Sequence, residues 1–344
     1  MKTVLVTGAT GFVGGHLVRE LLLDNYKVKA LVRDRKKGEL LIQKIKAELE
    51  EKNRGELLEN LLLSIGDLTH QDGLDSAAEG VETIFHIGAV YREAKFPDEY
   101  YYNVNFDGTK RVLEAALKNG VKKFLHCSTT GVMGSITNPP ADENHPYHPD
   151  DVYQKSKTEA EKLVLNYFSE GKIKGAIIRP TMIWGPGDTR FLKMFKALKR
   201  RRFPIIGDGK TLNHYVHVVD LCRGFILADK NDDPKANGEI YLIGGREIVT
   251  LEEACRKIAD FYQVKLLPIK IPAFPVQLVG SIVEMLCRPF GIEPPIHRRR
   301  ADFFVKSRAF SIDKAKSILG YTPRMSFSEE VKDIAGWYQN QGWL

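Results

Sequence analysis

At 344 residues, with 43% hydrophobic and 28% charged side chains, the chain has the make-up of a globular protein rather than a fibrous or disordered one. It is long enough for a main domain and a smaller partner. A formal charge of +7 suits anionic cofactors or surfaces, but without a helix-turn-helix, zinc or RNA-binding signature it does not point to nucleic acid. Apolar runs fall short of the ~20 residues of a membrane span, strand character starts too early for a leader peptide, and Cys127, Cys222, Cys255 and Cys287 lack metal-ligand spacing; a cytoplasmic protein with reduced thiols and no metal is expected.

Along the chain, apolar runs predict strands at Thr3–Thr7, Lys27–Val32, Leu61–Ile65, Thr83–Ile87, Lys123–Cys127 and Gly175–Arg179. Helical patterns such as Phe106–Asn119 and Val152–Ser169 alternate with them. That alternation predicts an α/β, doubly wound parallel sheet of the Rossmann type over residues 1–180. The charged stretch Leu40–Lys52 reads as an added surface helix. Residues 181–344, richer in Pro and Gly, read as a smaller, mostly helical substrate lobe, with about 210–245 able to return to the main domain. Within that lobe Val276–Cys287 reads as an amphipathic helix packed on a core, closing over substrate or touching a membrane surface weakly, and Arg298–Arg300 as a basic cluster.

The turn Thr7-Gly8-Ala9-Thr10-Gly11-Phe12-Val13-Gly14 follows the first strand and opens a helix. Gly8 permits a tight turn, Gly11 a close approach of backbone amides to a pyrophosphate, and Gly14 close helix–strand packing. After the second strand comes Arg33, whose guanidinium fork suits a 2′-phosphate. NADP(H) is therefore the preferred cofactor; Asp34 could take the ribose hydroxyls instead, which keeps NAD(H) open. Asp67 and Leu68 close the third strand, where a carboxylate can meet the adenine amine. Tyr153 and Lys157, at i and i+4, share one face of a helix, so an ammonium can lie beside a phenol and favour its ionised form. The hydroxyl cluster Ser128-Thr129-Thr130 ends the fifth strand.

Together with GDL at 66–68, HIGA at 86–89, NFDGT at 105–109 and RPTMIWGPGD at 179–188, these motifs span nearly the whole chain. The sequence resembles an extended short-chain dehydrogenase/reductase, the superfamily of nucleotide-sugar epimerases, dihydroflavonol reductases and 3β-hydroxysteroid dehydrogenases, and its C-terminal third is most similar to the hydroxysteroid branch. The resemblance implies that Thr129, with Ser128 as rival, binds the reacting oxygen. It implies Tyr153 as general acid/base, Lys157 as its electrostatic partner and Asn105 as a supporting residue. Gly8, Thr10, Gly11, Phe12, Val13, Gly14, Arg33, Asp67, Leu68, Ile87, Gly88, Ala89, Tyr153, Lys157, Pro180 and Ile183 are then the cofactor contacts. A homodimer is implied by the family alone.

The expected activity is NAD(P)-dependent interconversion of a secondary alcohol and a ketone on a bulky, largely apolar steroid-, terpenoid- or flavonol-like substrate. The alternative is a nucleotide-sugar epimerase or dehydratase using the same residues, with Arg190 and Arg298–Arg300 as basic pocket candidates. A cofactor-sensing protein without turnover is disfavoured by the complete catalytic set.

Overall fold

Each apolar run in the first half of the chain becomes a strand, and all but the edge one at Leu61–Ile65, where Leu62 and Ile65 are exposed, are largely covered on both faces. The computed structural model describes residues 1–91, 96–272, 274–275, 304 and 306–344; the expected helix at Val276–Cys287 and the Arg298–Arg300 cluster lie outside them. The strands are β1 (Thr3–Thr7), β2 (Lys27–Val32), β3 (Leu61–Ile65), β4 (Thr83–His86), β5 (Lys123–Cys127) and β6 (Lys174–Pro180). The helices among them are α1 (Phe12–Leu23), α2 (Arg35–Glu50), α3 (Leu74–Ala78), α4 (Asp98–Tyr102), α5 (Gly108–Lys118) and α6 (Val152–Ser169).

Beyond β6 come β7 (Met182–Trp184), α7 (Leu192–Lys199), β8 (Ile205–Ile206), β9 (Leu212–His217), α8 (Val218–Lys230), β10 (Glu239–Ile243), β11 (Ile248–Thr250), α9 (Leu251–Phe261) and β12 (Lys270–Ile271). The chain ends with α10 (Asp313–Leu319) and α11 (Phe327–Asn340).

The main sheet has seven parallel strands in the order β10-β6-β5-β4-β1-β2-β3. Alternating side chains feed two cores: Val4 and Val6 pack with α1 and α8, whereas Leu5 and Ile84 pack with α3, α5 and α6. Order reverses between β1 and β4, so the loops after these strands diverge to opposite sides and leave a crevice at their carboxyl ends. α8 and β10 belong with this sheet: α8 packs on α1, and β10 pairs with β6. The smaller lobe sets α7, α9 and α11 against the short β7–β9–β11 sheet, around Trp184, Phe195, Tyr215, Phe327 and Tyr338.

Two elements differ from expectation. α2 is the β2-to-β3 crossover itself rather than an addition to it. Leu41, Ile45 and Leu49, at four-residue spacing, are at most 6% exposed and join the core of α1; only the charged outer face is solvated. Before α5 the backbone makes a wide π turn over Asn103–Asp107. Such turns are a common way to re-aim a side chain at a functional site, and here Asn105 hydrogen-bonds elements on both sides of it.

The packing of α1 on β1 allows no side chain at position 14: a Cβ there would lie 2.1 Å from the Gly8 carbonyl oxygen. Gly14→Ala is expected to cost about 2 kcal/mol of overpacking strain, read as a lower urea midpoint. An unchanged midpoint would contradict this account of the turn.

Candidate active site

The glycine turn and the Tyr153 helix open onto one cavity of about 730 Å³, at the carboxyl ends of β1, β4, β5 and β6. On one side the chain leaves β1 at Gly8, whose φ of +67° is left-handed. A Cβ at Gly8 would stand 2.7 Å from Gly88 Cα, so the loops after β1 and β4 meet backbone to backbone. α1 then starts with extended Gly11 as its cap, with no side-chain cap and no acidic residue in its first turn. An uncapped helix start beside bare glycine backbone matches the size and charge of a pyrophosphate.

Beyond the ends of β2 and β3, Arg33 and Lys37 line the cavity with Asp67 and Leu68. Asp34 instead caps α2, its Oδ1 accepting from Lys36 N at 2.7 Å and Lys37 N at 3.4 Å. Asp67 Oδ1 likewise accepts from Thr69 N and Oγ1, each at 2.9 Å.

α6 presents Tyr153 and Lys157 from successive turns, and both line the cavity although only 8% and 2% exposed. The helix is started by Asp151, which accepts from Gln154 N at 2.8 Å, and is anchored by Ala160, Val164 and Phe168. Lys157 Nζ donates to the Cys127 carbonyl at 2.7 Å. Burial pushes this lysine down to about 8, because an ammonium taken out of water loses hydration. The Tyr153 ring meets that of Tyr91 edge to face, centroids 5.1 Å apart.

The two rival hydroxyls have different environments. Ser128 donates to Glu161 Oε2, inside a buried network in which Tyr147 also donates to Glu161 at 2.7 Å and Arg179 pairs with it at 2.6 Å. Thr129 Oγ1 accepts from Gly131 N at 3.0 Å, which leaves its own proton for another acceptor. Asn105 is fully buried and does not line the cavity. Its amide clamps the Val90 backbone in both directions, at 2.8 and 3.1 Å, and donates to Ser156 on α6 at 3.0 Å.

Every residue expected to touch the cofactor, from Gly8 to Ile183, borders this cavity. Arg190 borders it too, but its guanidinium forks onto the nearly buried Asp188 at 2.9 and 3.0 Å. Sequence motifs did not single out Tyr91, Met182, Phe191 and Phe310, which supply aromatic and apolar wall, or the nearby cations Lys306 and Arg308. Tyr91, just past the Gly88-Ala89 turn, and Met182, inside the motif at 179–188, were within reach of those motifs; Lys306, Arg308 and Phe310 come from a segment more than 110 residues further along the chain. Among the described residues, no group of His, Cys, Asp and Glu is arranged to hold a metal, and no helix is long and apolar enough to cross a membrane.

Residues 4–244 match the NAD dependent epimerase/dehydratase family. The chain is 30% identical to a 3-beta-hydroxysteroid dehydrogenase of Mycolicibacterium neoaurum, over 97% of this chain and 91% of that one. It is 28% identical to the decarboxylating sterol-4-alpha-carboxylate 3-dehydrogenase of Schizosaccharomyces pombe, over 99% and 98%. Among solved structures, a double mutant of the dTDP-glucose 4,6-dehydratase of Streptomyces venezuelae, with NAD bound, superposes with a TM-score of 0.72 at 25% identity, covering 99% of this chain and 98% of the other.

The Glu161–Arg179 pair behind Ser128 is at most 1% exposed. Removing one partner strands a charge in the core, so Arg179→Met is expected to cost about 3–5 kcal/mol, and Glu161→Leu added to it is expected to restore most of the loss. Equal stability of the single variant and the native chain in urea unfolding would refute this.

Proposed function

Because the chain belongs to the NAD dependent epimerase/dehydratase family and is an NAD(P)-dependent dehydrogenase/reductase of the extended short-chain type, we propose that it interconverts a secondary alcohol and a ketone on a bulky, largely apolar substrate. The observation that carries this reading is the buried Tyr153–Lys157 pair bordering the same cavity as the glycine turn. A free phenol is a poor base near neutrality, and an ammonium one helical turn away favours the phenolate form. Thr129 donates its free proton to the substrate oxygen, and Tyr153 delivers or removes the proton there. Lys157 stays charged and stabilises the phenolate. The nicotinamide, when bound, supplies or accepts the hydride. Ser128, committed to Glu161, shapes the wall behind Thr129 rather than binding substrate.

The apolar substrate class is supported by Tyr91, Met182, Phe191 and Phe310 in the wall, and by the steroid and sterol dehydrogenases that the chain resembles. A nucleotide-sugar epimerase or dehydratase is the second reading, favoured by the dTDP-glucose dehydratase likeness. It is weakened by Arg190, whose charge is met by Asp188 instead of awaiting a diphosphate. Stoichiometric consumption of added cofactor separates the first reading from an epimerase that recycles it in place. NADP(H) is proposed over NAD(H), since Arg33 and Lys37 border the adenosine end while Asp34 caps α2. A cytoplasmic homodimer pairing through α5 and α6 completes the proposal.

Tyr153→Phe is expected to lower kcat/KM by about 10²–10⁴ with little change in cofactor affinity; full turnover with an accepted substrate would exclude the mechanism. Arg33→Ala should cut the ratio of NADP to NAD efficiency roughly tenfold or more, as loss of a charge-assisted contact implies. An unaltered ratio would remove Arg33 from cofactor selection.

A further inference from the structure

Behind the lysine lies a buried histidine pair that the mechanism above does not use. His86 and His126 are register partners on β4 and β5, their rings stacked with centroids 5.5 Å apart. His86 has a fixed hydrogen-bond polarity. Burial holds the ring neutral, and Thr7 Oγ1, which accepts from Gly88 N, lies 2.8 Å from its Nδ1. Thr109 Oγ1 donates to the Asn105 carbonyl at 2.6 Å, so it accepts from His86 Nε2 at 2.9 Å. His86 is therefore a neutral imidazole carrying its proton on Nε2.

His126 is fully buried, with its Nε2 3.4 Å from Lys157 Nζ. That is the long end of hydrogen bonding, as is common for catalytic contacts in unliganded enzymes. Its Nδ1 is buried and has no partner among the described residues. An orphaned polar atom in a core is costly, and an apolar side chain would avoid that cost. The Nε2 side accounts for what the imidazole does there: Lys157 can use only a lone pair.

We propose that His126 is a positioning residue for proton transfer, accepting a hydrogen bond from Lys157 through Nε2 and so holding the ammonium charged and in place beside Tyr153. This rests on the reading of Tyr153 and Lys157 given above. The groups around Lys157 leave His126 this role. From β5 the Cys127 carbonyl accepts one proton and His126 faces another; from α6 come Tyr153 and Glu161; from β6, Arg179 neutralises Glu161. His86, set behind His126, is neutral. Desolvation and the Lys157 charge hold both histidines well below their ordinary range, so His126 remains an acceptor throughout the working pH.

The test follows kcat/KM against pH in the alcohol-oxidising direction, where a charged Lys157 is required and its loss sets the high-pH limb. That limb is expected near 8 in the native chain. His126→Leu removes the acceptor and should move it down by about one pH unit, while His126→Gln, whose amide oxygen reaches the place of Nε2, should restore it. An unmoved limb in His126→Leu overturns the proposal. Nitrogen-15 NMR of the cofactor-free native protein gives a reading independent of turnover and of any variant's folding. From about pH 5.5 to about pH 8, His126 should keep Nε2 bare and Nδ1 protonated; a proton on Nε2 would equally overturn it. If Tyr153→Phe remained fully active, the functional reading would fall while the NMR result still judged the hydrogen bond.

Discussion

A lysine ammonium 2% exposed in the middle of a protein is the constraint around which this site is organised. Such a charge is tolerated only where several acceptors replace its water. The Cys127 carbonyl supplies one, and it is free to do so because β5 has just ended and its last carbonyl points out of the ladder at α6. The end of a parallel strand thus becomes a ligand for the side chain proposed to activate Tyr153. Burial lowers the proton affinity of Lys157 to a value still compatible with a charged state near neutrality. Full exposure would weaken its influence on Tyr153 through solvent screening, and complete isolation would neutralise it.

The same economy of backbone governs the cofactor side. Gly8 and Gly88 bring the loops after β1 and β4 into contact at the switch point, and that contact closes the floor of the cavity. From this floor the route to the reacting end runs through one hydrogen-bond chain. Gly88 N, Thr7, His86, Thr109 and the Asn105 carbonyl follow one another across β1, β4 and the π turn before α5. Asn105 then clamps Val90 and reaches Ser156 on α6. The floor of the cavity and α6 are therefore tied through buried polar groups that are paired with one another, an arrangement that rigidifies a site more than isolated contacts would.

Much of this was legible in the sequence, for a physical reason. Strand positions, the glycine turn and the Tyr153–Lys157 pair are set by local periodicity and by conformations only glycine adopts. Hence the parallel sheet lies where the runs from Thr3–Thr7 to Gly175–Arg179 predicted it, and both motifs open onto one cavity. What stayed hidden depends on partners far along the chain. The partner that distinguishes the environment of Ser128 from that of Thr129 is Glu161, 33 residues away, with the arginine that pairs with it. Leu40–Lys52 read as a surface addition because the α1 core that its Leu41, Ile45 and Leu49 stripe joins is supplied from elsewhere in the chain. The stacked His86–His126 pair appears only once the β4–β5 register is known. Arg190 looked like a ligand-seeking cation until Asp188 was seen to take its fork.

The account's central claim is that Tyr153 works beside the nicotinamide, with Lys157 holding it ready. A crystal structure of the chain with bound dinucleotide addresses this most directly. The ring is predicted to lie against Ile183 and Pro180 with C4 within about 4–5 Å of the Tyr153 hydroxyl, close enough for one substrate carbon to meet both. A dinucleotide bound with its nicotinamide far from Tyr153, or seated away from the Gly8 turn, would contradict the account.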